Sequence, residues 1–318
     1  MSALICGALA FDTIMGFEGR FGDQILPEEI DRLSVSFPVP KMRREFGGCA
    51  GNIAYNLSLL GETGLPQCVV GHDFGDYARW LDRNGISRRY VRELASEFTA
   101  QAFITSDCDG NQITAFHPGA MAFADEADLP EQADFTLGVI APDDVTRMRR
   151  AASYFARAGV AFVFDPGQFM TSLDATQMLE FVELADWVTM NDYEAGLLTT
   201  RTGQTLADLS RRARALIVTH GKNGSQVWRC GQMEVVPAAQ AGPALDPTGC
   251  GDAYRAGLAF GLLRELPFAT TVRVASLMGA LAVEHFGTQN HRPDATQIAR
   301  RYEESFGEPL ALMPASGR

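Results

Sequence analysis

The chain has 318 residues, of which 46% are hydrophobic and 21% charged, and its formal net charge is −12. A chain of this length can bury a sizeable core without disulfides or metal staples. The acidic balance argues against nucleic acid as a partner, because phosphate backbones select basic faces. Small anionic ligands remain compatible with it, since a local cradle of backbone amides needs no net positive charge.

The cysteines and the N-terminus point to a reducing compartment. No two cysteines form a CxxC pair and no histidine lies at metal-ligand spacing from one, so we expect reduced thiols, mostly in the core. The first residues lack a basic region ahead of an apolar run, which argues against a signal peptide. No apolar run approaches the roughly 20 residues of a membrane span. The sequence therefore predicts a cytoplasmic protein with no membrane partner.

Short apolar runs alternate with helical patterns along the chain. This alternation is typical of an α/β fold whose central sheet is mainly parallel, with helices on both faces. The predicted strands are 3–6, 67–70, 137–140, 161–164, 187–190 and 216–219. The predicted helices are 50–60, 146–158, 176–185, 206–213 and 253–266. With no repeat or linker in sight, residues 1–318 read as one domain.

Two segments interrupt the alternation, at about residues 14–41 and 95–118, and we expect them to build a small antiparallel lid. The first is rich in loops, and the second alternates apolar and polar residues around Asp109-Gly110, a strong hairpin signal. If these two residues form the centre of the turn, Phe103 lies opposite Phe116 with both rings on one face. The same spacing would also suit an aromatic pair that only seals a sheet.

The segment from Asp246 to Gly257 carries the strongest chemical signal. Its glycines Gly249 and Gly251 open an amphipathic helix, and the unpaired amides of a first helical turn form an anion site. Asp252 lies at that edge, where a carboxylate could orient a substrate hydroxyl and accept its proton during phosphoryl transfer. Taken alone, an aspartate in this position is more often a helix cap.

A second glycine cluster, Gly47-Gly48, also precedes a helix, and Asn52 lies one turn into it. Asp12 follows the first predicted strand, at the end of the sheet where α/β folds place ligands. Asp12 and Asn52 could together hold two adjacent hydroxyls, although each taken singly reads as a cap or turn residue.

These motifs, taken in order, resemble the ribokinase-like (PfkB) carbohydrate and nucleoside kinases over essentially the whole chain. The resemblance also includes Asn191 to Glu194 after a strand and Thr219 to Gly224 after the next. It implies an ATP-dependent kinase that phosphorylates a hydroxymethyl group, with a ribokinase-like fold. No P-loop and no protein-kinase motif set is present.

The resemblance implies a role for each matching residue. Gly249, Cys250 and Gly251 would form the anion hole, and Asp252 would be the base. Glu194 would hold Mg²⁺, largely through water, with Asn191 beside it. The acceptor would be bound by Asp12, Gly47, Gly48 and Asn52. ATP would be lined by Thr219, Gly221 and Gly224, and the segment 276–290 would close over its adenine. Some relatives need K⁺, for which Asp246 and nearby carbonyls are the candidates.

Two departures from the family pattern bear on chemistry and substrate. Cys250 stands where alanine is usual; the helix N-terminus lowers the pKa of such a thiol, whereas Asp252 opposes ionisation, which leaves the sign of the shift open. Met121 stands where many sugar kinases have asparagine. A sugar site needs many hydrogen-bonding groups, whereas the rings of Phe103 and Phe116 suit a nucleobase.

We therefore expect a nucleoside acceptor, most simply adenosine phosphorylated at its 5′-hydroxyl. The segment from Asp165 to Gln168 resembles one near the base pocket of bacterial adenosine kinases, which makes Gln168 a substrate-binding candidate. Three alternatives stay open: a sugar kinase of ribokinase type, an inactive ligand-binding sensor on the same fold, and a nicotinamide-dependent dehydrogenase. Against the dehydrogenase, the chain has no GxGxxG motif after the first predicted strand. The chain could act as a monomer or a homodimer.

Overall fold

The larger of two sheets forms the centre of the molecule. The computed structural model describes residues 1–25, 34–126 and 128–310, and within them this sheet has nine strands in the order β13-β12-β11-β10-β9-β8-β1-β4-β5. Its strands are β1 (Ser2–Cys6), β4 (Thr63–Gly71), β5 (Tyr90–Leu94), β8 (Leu137–Ile140), β9 (Phe162–Phe164), β10 (Trp187–Asn191), β11 (Ala215–Thr219), β12 (Ser225–Arg229) and β13 (Gln232–Val236). The strands from β11 to β5 pair in parallel, and β12 and β13 add an antiparallel edge.

The strand order reverses at β1. From β1 the chain continues through β4 and β5 in one direction and through β8 to β11 in the other. At such a switch point the loops at the carboxyl ends of the strands diverge and leave a crevice that binds ligands. The fold thus predicts a site beyond the end of β1.

Helices cover both faces of this sheet, as the alternating pattern predicts. One face packs against α1, α2, α7, α8 and α9, and the other against α3, α4 and α5. The helices are α1 (Cys49–Leu59), α2 (Gly75–Arg83), α3 (Val145–Ala158), α4 (Ala175–Leu184), α5 (Asp192–Thr202), α6 (Leu206–Leu209), α7 (Cys250–Leu263), α8 (Phe268–Val283) and α9 (Ala295–Phe306). None of those in the described ranges combines the length and apolarity that a membrane crossing requires.

The second sheet is the lid that the two interrupting segments predicted. It has four strands in the order β3-β2-β6-β7, and β2 and β6 pair in parallel at its centre. Its strands are β2 (Ala10–Gly16), β3 (Lys41–Gly47), β6 (Ala100–Ser106) and β7 (Gln112–His117). The lid strands therefore extend beyond the first predicted segment at both of its ends. Residues 26–33 of that segment lie outside the described residues.

The predicted hairpin register is wrong by one residue. Phe103 pairs with Ala115, and Phe116 pairs with Ala102, so the two rings do not face each other. The loop has three residues rather than two, because the N–H of Asp107 donates to the carbonyl of Asn111. Gly110 takes the left-handed conformation at the end of this loop (φ 82°), as a three-residue hairpin with a bulge requires.

Two other expectations changed in the structure. The helix predicted for 206–213 ends at Leu209, after which the backbone turns toward β11. The prediction also omitted α2, α5, α8, α9, β5 and the β12–β13 hairpin. The strand predicted for 137–140 matches β8, and the other predicted strands and the remaining predicted helices occur with shifted ends, because the ends of an element depend on hydrogen bonds that hydrophobic periodicity does not report.

Helices α7 and α8 pack with unusually close backbones. A Cβ atom added at Gly257 would lie 2.6 Å from Cα of Ala275, closer than side chains and backbone can approach. The N-terminus of α7 contains Gly249 to Asp252, and α8 lies beside it. The glycine at 257 therefore sets where the predicted anion site lies relative to α8.

Gly257→Ala is expected to lower the free energy of unfolding by about 1–3 kcal/mol, because the added methyl group pushes two helices apart. Gly196→Ala in α5 is the matched control, since a Cβ at Gly196 meets no atom within 4 Å. That variant should be neutral or more stable by about 0.5–1 kcal/mol. Urea unfolding of both variants measures the difference; equal effects would show that the α7–α8 contact is not tight.

Candidate active site

The N-termini of α1 and α7 meet beyond the end of β1, and a side-chain hydrogen bond joins them. Asn52 of α1 donates from Nδ2 to Oδ2 of Asp252 at 2.8 Å. Gly249 caps α7 in the left-handed conformation (φ 77°), where a Cβ would lie 2.9 Å from Thr288. Two of the predicted site residues, 200 positions apart in the chain, are thus brought into direct contact.

The carboxylate of Asp252 is buried, and this sets its ionisation. Burial raises the pKa of Asp252, while Arg255 and the hydrogen bonds from Asn52 and Cys49 lower it in opposition. Such a carboxylate suits a general base, because burial raises its affinity for a proton while the hydrogen-bond donors keep it ionised.

The loop ahead of Asp252 presents backbone N–H groups where the sequence predicts an anion site. The N–H of Cys250 donates to the carbonyl of Pro247 at 3.2 Å, which closes a turn. The other N–H groups at the start of α7, those of Gly249, Gly251 and Asp252, belong to the orphan set of a helix N-terminus. Burial raises the pKa of Cys250 to about 11, and Asp246 and Asp252 add to this. The raised pKa therefore favours the neutral thiol at physiological pH, at a position where alanine is usual in the family.

The acceptor-binding candidates lie on the other side of Asn52. Gly47 ends β3 and lies against the carboxylate of Asp12, which a Cβ at this position would displace. Gly48 has φ 84°, and a Cβ there would lie 2.5 Å from the carbonyl oxygen of Ala8. The backbone therefore requires glycine at position 48. Burial, followed by the charges of Asp252 and other carboxylates, raises the pKa of Asp12 to about 6.

A cavity of about 720 Å³ opens beside the N-terminus of α7 and contains the predicted ATP-binding residues. Cys250 and Gly251 form one end of it, next to the catalytic candidate. Its lining includes Thr219, Gly221, Gly224, Ser276, Gly279, Ala280 and Val283. The structure thus places the start of the 276–290 segment in the same cavity as the loop after β11. A volume of this size suits a nucleotide.

Asn191 and Glu194 form a reciprocal cap at the start of α5. The N–H of Glu194 donates to Oδ1 of Asn191, and the N–H of Asn191 donates to Oε2 of Glu194, both at 2.8 Å. Glu194 is buried. The burial of Asp165 raises the pKa of that residue, and the negative charge of Glu194 raises it further. The cap therefore holds a buried negative charge at the end of β10, beside the strand that leads to Thr219.

Asp246 does not fit the predicted K⁺ site. Its Oδ1 accepts the N–H of Thr248 at 2.9 Å, and its Oδ2 accepts the N–H of Gly287 at 3.0 Å. The guanidinium of Arg43, from the lid strand β3, lies 3.6 Å from Oδ2 and supplies positive charge there. With these donors in place, a monovalent cation at Asp246 would compete with the guanidinium of Arg43.

Sequence reasoning missed an ion pair behind the base. Arg255, one turn after Asp252 on α7, pairs through two nitrogens with the buried Asp165. The spacing of Asp252 and Arg255 already places them on one helix face. The partner could not be found this way, because Asp165 directly follows β9 and reaches Arg255 only through the packing of α7 on the sheet.

The model of the pfkB family of carbohydrate kinases matches residues 21–295. The chain belongs to this family. It is accordingly an ATP-dependent kinase that transfers a phosphoryl group to a hydroxyl, and the family's enzymes use ATP with a divalent metal. Gly47, Gly48 and the segment around Asp252 all lie within the matched range.

The structure is also similar to solved nucleoside kinases, and the fold is ribokinase-like. The nucleoside kinase of Burkholderia thailandensis, solved in complex with inosine, superposes with a TM-score of 0.87 at 43% identity over 97% of this chain and 100% of the other. The Methanocaldococcus jannaschii nucleoside kinase superposes with a TM-score of 0.87 at 28% identity over 95% and 98%. A nucleoside kinase of Methanothermobacter thermautotrophicus is 29% identical over 96% of each chain.

The raised pKa of Asp12 gives the site a pH dependence. The carboxylate is the form that accepts two hydroxyl hydrogen bonds, and it is lost as the pH falls through about 6. If only the ionised form binds, the KM of the acceptor should rise about tenfold between pH 7 and pH 5. Steady-state kinetics across this range measures it. Asp12→Asn should have a high KM that does not change over the same range, and a wild-type KM that stays flat would contradict the assignment.

Proposed function

We propose that the chain phosphorylates the 5′-hydroxyl of a purine nucleoside. The observation that supports a nucleobase in the substrate is a cluster of apolar side chains beside Asp12. Ala10 and Ala100, both buried, pack with Met121, and Phe169 covers this group. Ala10 shares the face of β2 on which Asp12 lies, two residues on. A ligand held by Asp12 would thus lie near this apolar cluster, of which Phe169 is partly exposed, and such a cluster offers a free sugar no hydrogen bonds but is compatible with a flat nucleobase.

The lid places one of the two predicted rings on this face. Asp12 pairs with Ala102 and Ala102 with Phe116, so these three side chains lie on one side of the sheet. Phe103 pairs with Thr13 and lies on the opposite side. Phe116 is therefore the candidate for stacking on the nucleobase, and Phe103 is not. Gln168, which is exposed and precedes Phe169, stays a candidate for contacts to the base edge.

Within this proposal the chemistry follows from the positions of the side chains. The acceptor hydroxyls bind Asp12, Asn52 and the Gly47-Gly48 turn, and the 5′-hydroxyl lies at Asp252. Asp252 orients this hydroxyl and accepts its proton late in the transfer. The transferred phosphoryl group binds the amides at the N-terminus of α7, whose partial positive charge favours the anion.

Mg²⁺ is proposed to bind at Glu194. Across residues 1–25, 34–126 and 128–310, no group of three or more His, Cys, Asp or Glu residues is placed to hold a metal ion. A single buried carboxylate next to the strand that leads to Thr219 still fits Mg²⁺, because this ion keeps several waters and takes phosphate oxygens as ligands. When bound, it would neutralise charge that develops on the phosphates.

An acceptor screen tests the proposed function directly. ADP release would be measured in a coupled assay with adenosine, inosine, uridine, ribose and fructose. Base stacking of ~1–3 kcal/mol predicts that kcat/KM for adenosine or inosine exceeds that for ribose by about 5- to 150-fold. The sequence favours adenosine, and the relative solved with inosine makes inosine its direct competitor. Equal or faster turnover of ribose would make the chain a sugar kinase instead.

The two lid phenylalanines provide a matched pair of variants. Phe116→Ala should weaken nucleoside binding by ~1–3 kcal/mol, because it removes the ring on the face of Asp12. Phe103→Ala removes an equal ring from the opposite face and should leave nucleoside affinity unchanged. Calorimetric titration of both variants with adenosine and inosine, with ATP affinity as a control, would decide. Equal losses in the two variants would contradict the assignment by face.

Glu194→Gln separates the proposed metal role from capping. Glutamine keeps the reciprocal hydrogen bonds of the cap, so the melting temperature should change little, but it removes the charge. The Mg²⁺ concentration for half-maximal activity should rise severalfold, while the KM of the acceptor stays the same. An unchanged Mg²⁺ requirement in a stable variant would leave Glu194 with a capping role only.

A further inference from the structure

Gln289 lies behind the site, in the loop that joins α8 to α9. Its side chain is buried and makes three hydrogen bonds. Nε2 donates to Oδ1 of Asn52 at 3.0 Å and to the hydroxyl of Tyr77 at 2.6 Å, and Oε1 accepts from Nε1 of Trp80 at 2.8 Å. Among these contacts is the amide that donates to Asp252.

The orientation of these amides is determined by groups that cannot change roles. An indole N–H can only donate, so Oε1 of Gln289 must face Trp80 and Nε2 must face away from it. Nε2 then donates to Oδ1 of Asn52, which leaves Nδ2 of Asn52 to face Asp252. If the Asn52 amide were reversed, its oxygen would lie against the carboxylate, and two acceptors would oppose each other.

The second bond of Gln289 reaches the acceptor side of the site. Tyr77 accepts from Gln289, and its hydroxyl donates to the carbonyl of Gly47 at 2.8 Å. A carbonyl can only accept, so this end of the network is also fixed in direction. One buried amide thus sets the orientation of both the base's partner and the glycine turn that faces the acceptor.

We propose that Gln289 is a positioning residue for phosphoryl transfer, which fixes the Asn52 amide so that it donates to Asp252. The proposal rests on Asp252 as the base in the proposed function. It goes beyond that function by assigning the direction of every hydrogen bond from Trp80 to the carboxylate.

Loss of this alignment should change how the base ionises. The hydrogen bond from Asn52 opposes the rise in the pKa of Asp252 that burial causes, so its loss raises that pKa further. The base is then ionised only at higher pH. Of the other titratable and charged groups on or around this carboxylate, Arg255, Cys49, Asp12 and Asp165 would keep their contacts, and Tyr77 would lose only the hydrogen bond that Gln289 donates.

The main test is the pH dependence of kcat in Gln289→Met, which keeps the side-chain length and removes the amide. A hydrogen bond to a charged group is worth about a ten- to hundredfold factor. We expect kcat at pH 6 to fall by that factor and to recover toward the wild-type value by pH 9, with ATP affinity little changed. A purely structural role would lower kcat by one factor at every pH, and that result would overturn the proposal.

Trp80→Phe provides a second, milder variant if Gln289→Met does not fold. It keeps an aromatic ring beside Phe46 and removes the N–H that orients Gln289 together with part of the indole ring. It should shift the acid limb of the kcat profile in the same direction, by less. Trp228→Phe is the matched control, because it removes an indole bond to Gln226 on β12 and should leave the profile unchanged. Identical profiles for the Trp80 and Trp228 variants would count against the proposal.

Asp252→Asn separates failure of this proposal from failure of the base assignment. Loss of the base should lower kcat at least about a hundredfold. If the asparagine variant keeps more than about a tenth of wild-type turnover, the base assignment itself is wrong, and the positioning role falls with it. If it is inactive while Gln289→Met has a wild-type pH profile, only the role of Gln289 is refuted.

Discussion

The hydrogen bond between Asn52 and Asp252 is the interaction on which the site depends. It joins the first turn of α1 to the first turn of α7. Each turn is preceded by a glycine with positive φ, Gly48 and Gly249 respectively, and this backbone conformation favours glycine. The acceptor candidates lie on one side of it and the nucleotide cavity on the other. A kinase must bring a hydroxyl and a phosphate together at one carboxylate, and this contact is where the two halves of the site meet.

The electrostatics of the site follow from putting several carboxylates into one buried crevice. Burial and the charges of neighbouring carboxylates raise the pKa of Asp12 to about 6, and burial raises that of Asp252. Arg255 and Arg43 offset part of this charge, the first from behind the base and the second from the lid. Because Arg43 belongs to β3, movement of the lid would change the charge around Asp246 as well as cover the acceptor.

In the proposed function, substrate choice rests on a small difference in surface chemistry. The residues proposed to hold the hydroxyls would serve a sugar and a nucleoside alike, so they would not discriminate. The apolar cluster of Ala10, Ala100, Met121 and Phe169 would discriminate, because it leaves the polar edges of a free sugar unpaired. The lid would contribute through Phe116 rather than Phe103, since the face of a strand on which a side chain lies is set by the register.

The amino-acid sequence by itself determined the fold class, the lid and the residues of the motifs, because hydrophobic periodicity and glycine placement are local properties. It also identified Asp252, Asn52 and the nucleotide-binding loop as one site through family resemblance. Only the tertiary structure decided which side chains meet. The hairpin register depended on a backbone hydrogen bond between Asp107 and Asn111, which put the rings of Phe103 and Phe116 on opposite faces of the lid. The pairing of Arg255 with Asp165 and the contact of Gln289 with Asn52 span long sequence separations, and no local pattern encodes them. Such contacts arise when helices pack on a sheet, because packing brings together groups whose spacing in the chain carries no periodicity.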